Sequence, residues 1–114
     1  MIVYGIKNCD TMQKAFKWLD ANHITYTFHD YKKESITKEK IEEWLKHFPI
    51  TELINTKGIT FKKLSDEEKL SITNKNKAIE LMIQKTSMIK RPLVEMKDGI
   101  LLGFNVDEWE KMLL

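Results

Sequence analysis

One cysteine, Cys9, stands in the stretch YGIKNCDTMQKAFKWL at residues 4–19. An apolar run precedes it and a segment of helical period follows, so it falls where a strand gives way to a helix. The first N–H groups of a helix lack intrahelical partners, and the helix dipole adds partial positive charge there. A thiolate in that position is stabilised, its pKa is drawn below the ordinary value of about 8.5, and it becomes a nucleophile. Lys7 is close enough in sequence to add positive charge, and Asn8 and Thr11 flank the sulfur. The bland alternative is a small buried hydrophobe, the commoner fate of a free cysteine. A dithiol motif would carry its second cysteine at position 12, which is Met12. Thiol–disulfide exchange at Cys9 therefore needs an outside resolving thiol, such as glutathione or a glutaredoxin-type protein.

The second group of interest is a cation. Lys and Arg total 19, and Arg91 is the single arginine among them. Its planar fork suits an oxyanion or carboxylate. It stands in KRPLV at residues 90–94, before a proline that opens a strand, where the missing N–H does least harm. Arg91 either grips an anionic ligand or is a solvated surface residue. Lys57, with Lys62 and Lys63, surrounds Gly58 in INTKGITFKKL; this segment is either an anion-binding loop or a solvated basic one. His23, His29 and His47 lack metal-ligand spacing, and no metal site is expected.

Composition narrows the classes. A chain of 114 residues suits one domain, 42% hydrophobic and 32% charged. The formal net charge of +2 offers no electrostatic footprint for nucleic acid. No apolar run is long enough for a membrane span. A single cysteine excludes an internal disulfide and fits a reducing, cytoplasmic setting.

These groups need a scaffold. Met1 to Tyr4 reads as a buried strand stopped by Gly5. Met12, Ala15, Phe16 and Leu19 recur at helical spacing, with Asn22 as the helix end. Ile24, Tyr26 and Phe28 alternate with polar residues and read as a second strand, completing a βαβ unit with parallel strands. Residues 34–86 read as a helical insert. Thr37 caps a helix carrying Ile41, Trp44, Leu45 and Phe48 to Pro49; Ser65 and Glu68 form a capping box; Thr73 or Asn74 opens a further helix. Leu93 to Met96 and Ile100 to Leu102 form a hairpin around a Lys97-Asp98-Gly99 turn, and Asn105 with Glu108 opens a last helix. The expected class is α/β: a thioredoxin-like βαβ…ββα core at residues 1–33 and 87–114 with the insert between, within one domain at 1–114.

YGIKNCDT, TFHDYKK, LINTKGITFKKL, IKRPLV and LLGF, in this order, resemble the arsenate reductase-like (ArsC/Spx) family of thioredoxin-fold proteins, most nearly its YffB-like branch. The resemblance implies Cys9 as nucleophile and Arg91 reaching over the sulfur beside a cis Pro92. Lys57 and Lys7 are further candidates for holding substrate or glutathione, and a small oxyanion is a candidate ligand. Arsenate reductases of the family carry three arginines on the oxyanion. Here Arg91 matches one, while Asn55 and Gly103 stand near the other two positions, and Gly5 replaces a histidine ahead of the cysteine. The reading is thus a thiol-dependent reductase, arsenate reductase-like without being a true arsenate reductase. Its rival is a Spx-like regulator that binds RNA polymerase and lacks a Cys-x-x-Cys switch.

Overall fold

The computed structural model describes residues 1–114. In chain order the elements are β1 (Ile2–Gly5), α1 (Asp10–Ala21), β2 (Thr27–Asp30), α2 (Tyr31–Glu34), α3 (Lys38–Trp44), α4 (Ile50–Leu53), α5 (Ile59–Lys62), α6 (Asp66–Ser71), α7 (Lys75–Gln84), a 3-10 turn (Thr86–Met88), β3 (Leu93–Met96), β4 (Gly99–Leu102) and α8 (Val106–Leu113). The chain divides into two compact units. Met1–Tyr31 with Arg91–Leu114 form one, and Lys32–Lys90 form the other.

The first unit is a four-stranded sheet in the order β2-β1-β3-β4. β1 and β2 are parallel, while β3 is antiparallel to both β1 and β4. This is the thioredoxin-like arrangement expected from the sequence. Because strand side chains alternate, the register sends Val3, Phe28, Val94 and Leu101 to one face and Tyr4, His29, Leu93 and Glu95 to the other. The first set packs with Met12, Ala15 and Leu19 of α1 and Trp109 of α8 into the apolar core. Trp18 meets the Trp109 ring edge-on at 5.7 Å.

β2 begins later than the alternation of Ile24, Tyr26 and Phe28 suggests. Its first paired residue is Thr27, opposite Ile2. Ile24 and Tyr26 pack against the core, but their backbone precedes the register of β1. Alternating burial marked the side chains here; strand pairing needed a neighbour. The hairpin is likewise tighter than expected, because Met96 pairs with Gly99 and leaves Lys97-Asp98 as the turn.

The second unit is helical. Thr37 caps α3 by accepting from the N–H of Lys40, and the Ser65–Glu68 box closes in both directions. Asn74, rather than Thr73, caps α7. The expected helix to Phe48 stops as a helix at Trp44 and continues in turns. The segment expected as a loop contains α5, one short turn with Gly58 before it. Ile41, Trp44, Leu53, Ile79 and Met82 are among its fully buried side chains.

Candidate functional site

Parallel β1 and β2 both end at one edge of the sheet, and antiparallel β3 starts there. Cys9 leaves β1 at this edge, Tyr31 follows β2 directly, and Arg91-Pro92 leads into β3. The pairing of Gly5 with Asp30 and of Tyr4 with Leu93 fixes that arrangement. Residues far apart in sequence thus share one site because of strand direction.

Cys9 is the N-cap of α1, in extended conformation at φ −148° and ψ 130°. Its carbonyl accepts the N–H of Gln13, the first bond of the helix, at 2.9 Å. Its side chain, partly exposed, forms no capping bond as a thiol. As an anion it fares better. Burial pushes the Cys9 pKa up, but the backbone N–H groups of Met12 and Thr11 together with the hydrogen bond and charge of Arg91 more than offset this, and the thiol is held below its ordinary value.

Lys7 enters through its backbone: its carbonyl accepts from the Cys9 N–H at 3.2 Å and from the Gln13 side chain at 2.8 Å. This closes the loop that aims Cys9, while the Lys7 and Asn8 side chains are exposed. Met12, in the place of a second cysteine, is wholly buried in the core. It also occupies the space beside Gly5, where any Cβ would come within 2.5 Å of the Met12 thioether. A larger residue at position 5 would displace that side chain, so the glycine and the methionine fit each other.

The Arg91–Pro92 peptide is cis. Pro92 is buried, and its carbonyl accepts the N–H of Gly103 at 2.8 Å. Gly103 adopts φ 81°, a left-handed conformation that favours glycine, and its carbonyl accepts from the Trp109 indole at 3.0 Å. The backbone of Gly103 therefore braces the arginine loop, and no side chain enters from this residue. Lys57 lies in the helical unit, exposed on a shallow polar depression with Asn55, Thr56 and Lys90.

Sequence reasoning missed a polar cluster on the sheet face away from the core. The Tyr4 hydroxyl donates to Glu95 Oε1 at 2.7 Å. The Tyr4 ring lies 4.8 Å from that of His29 and 6.3 Å from that of Tyr31, and the His29 and Tyr31 rings are 6.0 Å apart. Burial, with the nearby Tyr4 and Glu95 oxygens, holds the Tyr31 hydroxyl firmly in its neutral form; the Arg91 charge acts in the opposite direction. The available signal was the register itself, since Tyr4, His29 and Glu95 take one face only once the strands are paired.

With this geometry described, likeness to known proteins becomes informative. The model of the ArsC family matches residues 4–112. A solved protein named YffB is 42% identical, with a TM-score of 0.93, covering 99% of this chain and 98% of its own. An arsenate reductase-related protein from Brucella melitensis is also 42% identical, with a TM-score of 0.77 and coverage of 99% and 94%. The global transcriptional regulator Spx 2 of Bacillus anthracis is 30% identical over 99% of this chain and 86% of its own length.

Proposed function

Because the chain belongs to the ArsC family, we propose that it is a thiol-dependent reductase in which Cys9 is the sole protein nucleophile and an outside thiol completes the cycle. The observation that carries this reading is the environment of Cys9: a partly exposed sulfur at a helix N-terminus, favoured as an anion by two backbone N–H groups and by Arg91. The Cys9 thiolate attacks one sulfur of a disulfide such as oxidised glutathione. A Cys9–S–S bond forms, and the other sulfur leaves as a thiolate with the bonding electrons. The thiolate of a second thiol, from glutathione or a glutaredoxin, then attacks the substrate-derived sulfur of the mixed disulfide; a new disulfide forms between those two sulfurs, and Cys9 leaves as thiolate with the bonding electrons. Arg91 offers a fork for the glutathione carboxylate or a small oxyanion, with Lys57 and Lys7 as further cationic candidates. A cytoplasmic, reducing setting supplies the thiol.

Arsenate itself is a poor fit. Arg91 is the chain's single arginine, and Gly103 contributes backbone alone.

The test is mass analysis after exposure to oxidised glutathione. The wild-type protein gains one glutathionyl group, lost again on adding reduced glutathione, and Cys9→Ser gains none. An unmodified wild-type protein overturns the reading.

A second reading is a regulator acting through RNA polymerase. The likeness to Spx 2 over nearly the whole chain favours it, and Met12 in place of a second cysteine removes a two-cysteine switch. It predicts polymerase in pull-downs that persists with Cys9→Ser, where the enzyme reading predicts lost chemistry.

A further inference from the structure

The two tyrosines beside the site differ in one respect. The Tyr4 hydroxyl is satisfied by Glu95 at 2.7 Å. The Tyr31 hydroxyl is buried and makes no hydrogen bond. Tyr31 is only 3% exposed, so solvent does not serve it. A buried polar atom without a partner destabilises the state in which it occurs. A phenylalanine would fill the same space without that cost. The hydroxyl therefore calls for a state of the protein in which it is bonded.

The topology indicates what changes. Tyr31 directly follows β2, and Arg91 directly precedes the proline that leads into β3, at the same sheet edge. The Arg91 charge acts both on the Cys9 sulfur and on the Tyr31 oxygen. A guanidinium has several N–H donors in a fixed plane and responds strongly to the loss of an anionic acceptor. When Cys9 changes from thiolate to disulfide, its negative charge is lost. The neutral phenol oxygen is then the unfilled acceptor nearby.

We propose that Tyr31 is a positioning residue for Arg91: when Cys9 is capped as a disulfide, the guanidinium turns from the Cys9 Sγ to the Tyr31 hydroxyl oxygen and donates to it, and when the thiolate returns it turns back. The proposal rests on the Cys9 chemistry above for its occasion in the reaction cycle. It gives the two redox states different placements of the anion-binding fork, holding Arg91 near the sulfur for deprotonation and drawing it aside once the sulfur is blocked.

The test sets the state of Cys9 chemically, so it does not depend on glutathione. Methyl methanethiosulfonate transfers its methylthio group to the Cys9 thiolate; the Cys9–S–S bond forms and methanesulfinate leaves with the electron pair. Melting temperatures are measured for wild type and Tyr31→Phe, each reduced and capped, at a pH where Cys9 is ionised. The reduced Tyr31→Phe protein is expected to melt at or above the wild-type temperature, because an unfilled hydroxyl has gone. The capped one is expected to melt below capped wild type, because the new bond cannot form. In an Arg91→Met background the reversal disappears. Equal differences in both states, a reversal that survives Arg91→Met, or a reduced Tyr31→Phe protein that is less stable or unfolded would each overturn the proposal. Absence of glutathione uptake by wild type would overturn the reductase reading and leave this result standing.

Discussion

The two faces of the sheet carry the same strands and have different tasks. Toward α1 and α8, Val3, Val94 and Leu101 close on Met12, Leu19 and Trp109 in an apolar core. On the other face Tyr4, His29 and Glu95 share the register with Leu93, and Tyr31 and Arg91 lie at the sheet edge beside them. The apolar face gains stability from burial, at roughly 25 cal/mol per Å² of apolar surface. The polar face tolerates an unfilled hydroxyl on Tyr31, while Cys9, at the start of α1 and against the rim of the apolar core, has a thiol placed to lose its proton. One strand serves both because neighbouring residues point opposite ways, so stability and chemistry are separable by single substitutions.

The largest expected effect sharpens this separation. Cys9→Ser abolishes the glutathione adduct while leaving the reduced fold intact, as far-UV circular dichroism will show. It also removes a pH dependence of stability. The folded Cys9 pKa is lowered, so its stabilisation is fully present above the unfolded value of about 8.5 and is lost as pH falls through the folded value. Denaturant melts of wild type should rise through that window, and those of Cys9→Ser should not.

The reverse experiment is on the apolar face. Trp109 is wholly buried, and Trp109→Ala should cost about 3–5 kcal/mol in urea unfolding. It also removes the indole donor to Gly103, whose N–H holds the Pro92 carbonyl. A changed alkylation profile in the folded fraction would show that the core reaches the site through this brace, which would blur the contrast between the faces.

Arg91→Met is the corresponding change on the polar side. Losing a charge-assisted hydrogen bond in a partly exposed site should cost the thiolate about 1–2 kcal/mol. Cys9 alkylation near neutral pH slows accordingly, with little change in unfolding free energy. The smallest effect belongs to neither face. Asn74→Ala removes the cap of α7 in the helical unit and should cost about 1 kcal/mol without altering Cys9 reactivity.

Much of the scaffold was legible because it is local. Period and caps located α1, the hairpin and the Ser65–Glu68 box, where each signal lies within a few residues of its effect. β2 was placed too early because alternation reports burial, and Ile24 and Tyr26 are partly buried without a strand partner. α5 escaped notice because four residues cannot show a period. Cys9 was legible as a helix-start thiol, but the environment it shares with Arg91 depends on antiparallel β3 returning beside β1. Tyr31 was invisible as a site residue for the same reason: only the pairing of Gly5 with Asp30 brings it to that edge.

The central claim is that Cys9 is an activated thiol and that Arg91 helps to activate it. The direct measurement is the rate of Cys9 alkylation by iodoacetamide against pH, in wild type and in Arg91→Met. The account predicts a wild-type midpoint below about 8.5 and a higher midpoint in the variant. A wild-type midpoint at or above that value, or one that Arg91→Met leaves unmoved, would contradict it.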